Sequence, residues 1–216
     1  EYQKKLMASL QEIKLANRDL PLCEQIHQDN YLLFCEHPHV YTLGKSGKEN
    51  NLLVNKEFLA QKGSEFFRID RGGDITYHGP GQIVGYPIFD LQSFRIGVKQ
   101  YVQNIEEAII LTLKKYFLKG ERLSGATGVW LDVNKPGKTR KICAIGVKVS
   151  RGITMHGFAF NVKTNLDYYN YINPCGFTDK GVTSLLKETN FDSNMEKVKL
   201  ELVKSFEEVF GCEISK

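Results

Sequence analysis

The stretch from Arg71 to Asp90 is the segment around which the rest of the chain is organised. It reads Arg-Gly-Gly-Asp-Ile-Thr-Tyr-His-Gly-Pro-Gly-Gln-Ile-Val-Gly-Tyr-Pro-Ile-Phe-Asp. It holds five glycines and two prolines, and apolar alternation typical of strands flanks it on both sides. Gly72 and Gly73 can adopt positive φ and, without a Cβ, let a ligand lie against the main chain. A pair of hairpin turns is the ordinary alternative. The polar side chains beside the turns favour a ligand-binding backbone instead.

This segment resembles the signature of the lipoyl(octanoyl) transferases, which move an octanoyl group from acyl carrier protein to a lysine of a lipoyl domain. Their pattern of Arg-Gly-Gly, two residues, Thr-Tyr-His-Gly-Pro-Gly-Gln and then Gly-Tyr-Pro is present here without a gap. The resemblance extends from about Tyr31 to Leu186. It implies an α+β fold with a mixed or antiparallel sheet flanked by helices, similar to the class II synthetase-like catalytic domain of biotin and lipoate protein ligases.

Length and composition predict one domain over residues 1–216, because the chain is 42% hydrophobic and 25% charged. A net charge of +4 favours a small acidic partner and is too weak for a nucleic-acid binder. Five cysteines, irregularly spaced in a chain of this size, are interpreted as thiols.

The sequence contains no apolar run long enough to cross a membrane, and its first residues lack the apolar core of a signal peptide. We therefore expect no membrane partner and a location in the cytoplasm, or in the mitochondrial matrix if the source is eukaryotic. Residue 1 is Glu, not Met, which is compatible with a trimmed chain that has lost a transit peptide.

Hydrophobic periodicity predicts three long helices and several strands. The helices are expected at about residues 2–17 and 94–118, and after Asp192 or Ser193, either of which would cap the last one. The strands are expected over residues 31–34, 66–69, 128–133, 141–150 and 153–162. The last two should pair antiparallel through a tight turn at Arg151-Gly152.

The segment Cys35-Glu36-His37-Pro38-His39 raises the alternative of a metal site. On a continued strand, Cys35, His37 and His39 would share one face, a geometry that can hold zinc. Pro38 disrupts a regular strand, and a paired fourth ligand is not evident. The transferase resemblance accounts for the segment as Glu-His-Pro followed by Tyr-Thr-Leu-Gly at residues 41–44, so no metal is expected.

The resemblance implies that Cys175, in Pro174-Cys175-Gly176, is the nucleophile and that Lys141 is its catalytic partner. Composition alone would leave Arg140 and Lys138 as competitors for the second role. A cationic neighbour is needed because a cysteine with a pKa near 8.5 is only slightly ionised at neutral pH, and the thiolate is the reactive form.

The resemblance also implies an acyl-binding tunnel. The substrate-binding residues it indicates are Arg71, Gly72, Gly73, Asp74, Ile75, Thr76, Tyr77, His78, Ala144, Ile145, Gly146, His156, Gly157 and Phe158. Both histidines in this set are expected to shape the tunnel and not to act as the essential base. Oxyanion donors are sought among the amides around Cys175 and around the Gly72-Gly73 turn.

The reaction implied is transfer of octanoyl from octanoyl-acyl carrier protein, through a cysteine thioester, to lipoyl domains of 2-oxoacid dehydrogenases and the glycine cleavage H protein. No cofactor and no ATP are expected, because a thioester is already activated and no Gly-x-x-x-x-Gly-Lys-Ser/Thr loop is present. The chain is expected to be a monomer. An ATP-dependent lipoate or biotin protein ligase and a non-catalytic acyl-binding module are the two alternatives.

Overall fold

The computed structural model describes residues 1–174 and 180–215 of the chain. The α-helices are α1 (Tyr2–Ala16), α2 (Lys56–Gln61), α3 (Val98–Lys114), α4 (Leu185–Thr189) and α5 (Met195–Phe210). The strands are β1 (Tyr31–Cys35), β2 (Val40–Leu43), β3 (Glu65–Arg68), β4 (Ile75–His78), β5 (Gln82–Ile88), β6 (Glu121–Leu123), β7 (Ala126–Leu131), β8 (Arg140–Ser150), β9 (Ile153–Asn161) and β10 (Gly181–Val182).

Most of the strands form one large sheet in the order β1-β5-β9-β8-β7-β6, in which all neighbours are antiparallel. The short strand β10 adds to the start of β8 in parallel. A smaller sheet has the order β3-β2-β4, with one parallel and one antiparallel pair. The predicted α+β class with a mixed sheet is therefore confirmed.

The main core lies between the large sheet and the two long helices α3 and α5. Ile83 and Phe160 from the sheet meet Ile109 and Leu202 of these helices, and these four side chains have no exposed surface. The apolar residues recur at steps of three and four along both helices, so each buries a single stripe. Among the helices in the described part of the chain, none has the length and apolarity needed to cross a membrane.

The smaller sheet has a second core of its own, in which tyrosines predominate. Tyr41 and Tyr77 are fully buried there beside Tyr169, which belongs to a 3₁₀ helix at Leu166–Tyr171. Tyr168 from the same helix stacks on Tyr77 with 5.0 Å between ring centroids. This core fixes the position of β4, the strand that carries the middle of the Arg71 to Asp90 segment.

The Arg151-Gly152 turn joins β8 and β9 as predicted, with both residues at positive φ, 52° and 82°. A two-residue turn with both φ angles positive has a backbone twist that matches the right-handed twist of the paired strands.

Three helix boundaries differ from prediction. One is the end of helix α3, which lies at Lys114 and not at 118. Helix α5 is capped by Asn194, and not by Asp192 or Ser193. The side-chain oxygen of Asn194 accepts hydrogen bonds from the backbone amides of Glu196 and Lys197. Helix α3 begins at Val98 and not at 94, since the preceding residues form a turn closed by the bond from the Ile96 amide to the Leu91 carbonyl, 3.1 Å.

Candidate active site

A cavity of about 830 Å³ lies where the two sheets meet. Its floor is the face of the large sheet opposite the main core. Ala144 pairs with Ala159, and Gly146 pairs with Gly157, and all four line the cavity. These small side chains on adjacent strands leave a flat, apolar surface on which an extended alkyl chain can lie.

The loop that precedes β4 crosses this floor. The Gly72 amide donates to the Val147 carbonyl at 2.9 Å, which ties the loop to β8. A Cβ on Gly146 would lie 2.7 Å from the Gly72 carbonyl oxygen, so β8 needs glycine beneath the loop. Gly73 has φ of 90°, a value that also favours glycine. The glycines of the opening segment thus permit a close contact between two stretches of backbone.

Arg71 and Asp74 bind mainly to the protein itself. The Arg71 side chain is buried, and its Nη2 donates to the carbonyl and hydroxyl oxygens of Thr42, at 2.7 and 3.0 Å. The Asp74 carboxylate accepts from the Ile75 amide at 2.7 Å and from the side-chain amide of Asn51. Both side chains line the cavity, and both hold the loop in place.

Strand β4 presents alternate residues to the cavity. Thr76 and His78 line it, together with Ile75 at the start of the strand, whereas Tyr77 lies behind, with its hydroxyl group 2.7 Å from Nδ1 of His39. Of the substrate-binding residues inferred from sequence, Tyr77 is thus the one that the structure does not bring to the cavity.

His78 is held as a neutral imidazole. Its Nδ1 donates to the amide oxygen of Gln82 at 2.8 Å, and its Nε2 lies 3.4 Å from the Thr42 hydroxyl. Burial lowers the pKa of His78 to about 3, and the nearby charge of Arg71 acts in the same direction, while the bond to Gln82 opposes it. With both ring nitrogens occupied, His78 fits the predicted role of shaping the cavity.

His156 lines the same cavity, with Gly157 and Phe158 beside it. Its φ of 62° is unusual for a non-glycine residue in a strand. The ring Nε2 is 2.9 Å from one carboxylate oxygen of Asp70, and Lys148 is 2.6 Å from the other. Burial lowers the pKa of His156, although Asp70 opposes the shift. This cluster fastens the start of the loop to β8 and β9.

Lys141 lies in the cavity wall, 8% exposed, near the start of β8. An irregularity in the β7–β8 pairing places it there. Val129 pairs with Cys143 and the next residue, Trp130, pairs with Lys141, so that Ile142 is an extra residue. Such an extra residue changes the face to which the side chains on one side of it point, relative to those on the other side. Lys141 therefore reaches the cavity although Ile142 and Cys143 both pack in the main core.

Arg140 and Lys138, which composition alone left as candidates for the role of Lys141, lie outside the cavity lining. Arg140 forms a two-pronged ion pair with Glu188, at 2.6 and 2.5 Å, and a further bond to Asp132. Lys138 is exposed in the hairpin loop. Of these three cations, Lys141 is the one that lines the cavity.

Cys175 and Gly176 lie outside the described residues. On either side of the undescribed segment, Pro174 and Val182 both line the cavity, and Val182 pairs with Lys141. Among the oxyanion donors sought from sequence, the Gly72 amide is already bonded to the Val147 carbonyl.

The residues considered for zinc do not share a common centre. Sγ of Cys35 is 3.3 Å from Nε2 of His37, whose Nε2 is also 2.6 Å from the Tyr86 hydroxyl. His39 instead bonds to Tyr77 and stacks on Tyr168. Within residues 1–174 and 180–215, no group of three or more potential metal ligands is present.

Several cavity residues were missed at the sequence level. They come from β5, β7, β9 and the 3₁₀ helix, namely Val84, Tyr86, Ala126, Ala159, Asn161 and Tyr169. Alternation along β5 and β9 could have indicated some of them, because each strand exposes every second residue to one face. Tyr169 carries no local signal, since it arrives from a separate element.

Comparison with known proteins identifies the family. Residues 10–207 match the family described as lipoyl protein ligase A/B catalytic domain. An octanoyltransferase of Parabacteroides distasonis is 60% identical over 184 residues, which cover 85% of this chain and 83% of the relative. An octanoyltransferase of Cytophaga hutchinsonii is 52% identical over 99% of this chain and 88% of the relative.

The fold is similar to that of a solved structure, the bipartite lipoate protein ligase of Thermoplasma acidophilum. The TM-score is 0.68, with 17% identity, over 98% of this chain and 81% of that one. Identity this low supports the fold alone. The shared fold confirms the expected likeness to lipoate protein ligases. The match to the family model and the close relatives establish that this chain belongs to the lipoyl protein ligase A/B catalytic domain family and, within it, to the octanoyltransferases.

Proposed function

We propose that this chain transfers an octanoyl group from octanoyl-acyl carrier protein to a lipoyl-domain lysine through a thioester on Cys175. The observation that carries the proposal is the position of Lys141, a buried cation in the wall of a cavity of about 830 Å³. Pro174, the residue before Cys175, lines the same cavity. A thiol beside that ammonium would be ionised at neutral pH, because a nearby positive charge favours the thiolate.

In the first half-reaction, the Cys175 thiolate attacks the thioester carbon of the donor. The phosphopantetheine thiolate departs and takes a proton from the Lys141 ammonium, which leaves an acyl-enzyme and a neutral lysine. In the second half-reaction, the amine of the acceptor lysine attacks the acyl-enzyme. Lys141 takes a proton from the incoming nitrogen, and Cys175 leaves as a thiolate, so the original ion pair is restored.

The small residues of the floor are suited to the acyl chain. Ala144, Gly146, Gly157 and Ala159 form an apolar surface without side chains large enough to block it. An extended chain that starts near Lys141 can run over Ala144 and Ala159 as far as Gly146, where the loop backbone at Gly72 contacts β8. The oxyanion of each tetrahedral intermediate would be bound by backbone amides near Cys175.

The partners in this proposal are two small proteins. The donor is an acyl carrier protein, and the acceptors are lipoyl domains of 2-oxoacid dehydrogenases and the glycine cleavage H protein. The net charge of +4 on this chain suits an acidic donor. We propose that the enzyme acts as a monomer in the compartment that holds both partners, the cytoplasm for a bacterial source.

The principal rival is an ATP-dependent lipoate ligase, because the fold is shared with such enzymes. A ligase activates a free carboxylate and does not require a cysteine nucleophile. Intact-protein mass spectrometry separates the two, after the chain is mixed with octanoyl-acyl carrier protein without ATP and then with an apo lipoyl domain. We expect one octanoyl group on Cys175 that then moves to the domain.

Matched variants make the test specific. Cys175→Ala should form no acyl-enzyme and transfer nothing, whereas replacing the exposed Cys23 by Ala should change neither step. Lys141→Ala should slow both half-reactions, and Lys138→Ala, in the exposed hairpin, should slow neither. Full transfer by Cys175→Ala, or transfer only from free octanoate with ATP, would overturn the proposal.

A further inference from the structure

Trp130 is a buried aromatic residue in direct contact with the side chain of Lys141. Its side chain is 1% exposed and lies opposite Lys141 in the β7–β8 pairing. The Lys141 Nζ lies 4.5 Å from the centroid of the Trp130 ring. Trp130 does not line the cavity, so its contact with the site passes through Lys141.

The geometry around this pair is tightly determined. The indole Nε1 donates to the Ala126 carbonyl at 2.8 Å, which fixes the rotation of the ring. Gly128, at φ of 123°, packs closely against β8, since a Cβ there would lie 2.5 Å from the Cys143 carbonyl oxygen and in ordinary contact with Cε of Lys141. The Gly128 amide in turn donates to the buried carboxylate of Glu106 at 3.0 Å. The bulge at Ile142 turns Lys141 to this side of β8.

An aromatic face suits a lysine that must exchange protons. The negative face of an indole attracts an ammonium, and tryptophan does so more strongly than the other aromatic residues. The attraction does not occupy any of the three N–H donors of the ammonium. The ring can therefore hold the nitrogen in place while the ammonium keeps its hydrogen-bond donors for other groups.

We propose that Trp130 is a positioning residue, whose ring face holds the Lys141 ammonium in the cavity wall and favours its charged form. This inference rests on the role given to Lys141 in the proposed function. The charged form is needed in the first half-reaction, where it stabilises the thiolate and donates a proton. The second half-reaction begins with a neutral Lys141, so loss of the ring should slow acylation of Cys175 more than its discharge.

The experiment uses the fact that Trp130 is the only tryptophan in the chain. Biosynthetic replacement of tryptophan by monofluoro- and trifluoro-tryptophan changes this one residue, keeps its shape and Nε1–H, and weakens the negative face of the ring. Two quantities are measured against pH, the alkylation of Cys175 by iodoacetamide and the acetylation of the Lys141 amine, each by peptide mass spectrometry.

We expect a graded response. With increasing fluorination, alkylation of Cys175 should need a higher pH and acetylation of Lys141 a lower one, and acylation should slow by up to about tenfold. Trp130→Phe should lie between wild type and Trp130→Leu. Phe206→Leu, a truncation in the main core, should leave both pH profiles unchanged. Identical profiles for wild type and the fluorinated proteins would overturn the inference.

The outcome is separable from that of the proposed function. Chemical acetylation of Lys141 is measured without the octanoyl-transfer reaction. It therefore reports on the contact between the Trp130 ring and the Lys141 ammonium even if Cys175 proves not to be the nucleophile. Conversely, an essential Cys175 combined with fluorination-independent profiles would overturn the role of Trp130 and leave the transferase mechanism standing.

Discussion

At the scale of single residues, the polar side chains of the Arg71 to Asp90 segment hold the protein together as much as they line the cavity. Arg71 and Asp74 bind backbone and side-chain groups of β2 and of the loops beside it. The cavity therefore presents mainly backbone, small residues and apolar surface. A non-polar acyl chain is bound by shape and burial, and such a cavity suits it.

Arg71→Met should destabilise the fold and disturb the loop. Two buried acceptors on Thr42 lose their donor, and each unsatisfied group costs on the order of 1–3 kcal/mol. Thr42→Val is the matched control, because it removes the hydroxyl group, with its contacts to Arg71 and to Nε2 of His78, but keeps the carbonyl acceptor, so it should cost less. Urea denaturation of both variants measures the free energies of unfolding. Equal stabilities of Arg71→Met and wild type would contradict this account of the loop.

His78 should make the stability of the protein depend on pH. Its pKa falls from an ordinary value to about 3 in the folded state, so folding favours the neutral ring. The resulting stabilisation is complete above about pH 6.5 and is lost as the pH falls towards 3, because the unfolded chain binds the proton first. Between pH 7 and 5 the loss should be on the order of 1–2 kcal/mol.

The His78→Gln variant isolates this contribution. Burial also lowers the pKa of His37 and of His156. Both therefore also make the protein less stable as the pH falls, and both remain in the variant. Asp70, with a pKa of about 2, titrates below this window. Denaturant unfolding at several pH values should give a shallower slope for the variant between pH 7 and 5. The same slope for both proteins would show that His78 ionises normally.

At the scale of secondary-structure elements, the start of β8 determines where Lys141 lies. Three neighbours hold it: β7 on one side, β10 on the other, and α4 through the ion pair between Arg140 and Glu188. The pKa of Glu188 is lowered chiefly by its bonds to Arg140. This ion pair fixes the residue next to Lys141 in the chain and is partly shielded from solvent.

A double-mutant cycle tests this connection. Arg140→Met and Glu188→Gln should each lower the free energy of unfolding, and the double variant should lose less than their sum, with a coupling of about 1–2 kcal/mol. Both single variants should also slow acylation, because the start of β8 is less constrained. Lys138→Met in the exposed loop is the control for a lost charge. Additive losses would mean that the ion pair contributes nothing of its own.

At the scale of the whole molecule, the cavity exists because two sheets with separate cores meet along one face. The large sheet supplies the floor, and the small sheet carries β4 and the Arg71 loop over it. The size of the cavity is therefore set by residues distant in sequence. Ala144 belongs to the floor and offers a direct way to change that size.

Ala144→Leu should change the preferred acyl length. The larger side chain occupies part of the floor, and a difference of one methylene in an apolar site is worth about 1–3 kcal/mol. Acylation by the octanoyl donor should fall by roughly 10–100-fold, with a smaller effect on a butanoyl donor. Ala8→Leu, on the exposed side of α1, is the control. An unchanged ratio of octanoyl to butanoyl rates would exclude Ala144 from the acyl site.

Much of this arrangement could be predicted from sequence, because it depends on local patterns. The helical stripes, the hairpin at Arg151-Gly152 and the turn residues of the Gly72-Gly73 loop are all determined within short windows. The long gap-free motif indicated the octanoyltransferase family, and close relatives confirm it. The pairing of Lys141 with Cys175 remains a prediction, since Cys175 lies outside the described residues.

The sequence by itself therefore determined the family, the α+β class and the part of the cavity lining that lies in the Arg71 loop, β4, β8 and β9. Only the tertiary structure decided which side chains face it. Tyr77 turns away into the tyrosine core, and Tyr169 enters from a distant 3₁₀ helix. A single extra residue, Ile142, turns Lys141 to the cavity and places Trp130 against it. Local periodicity cannot specify such facts, because a bulge or a contact between sheets depends on partners far away in the chain.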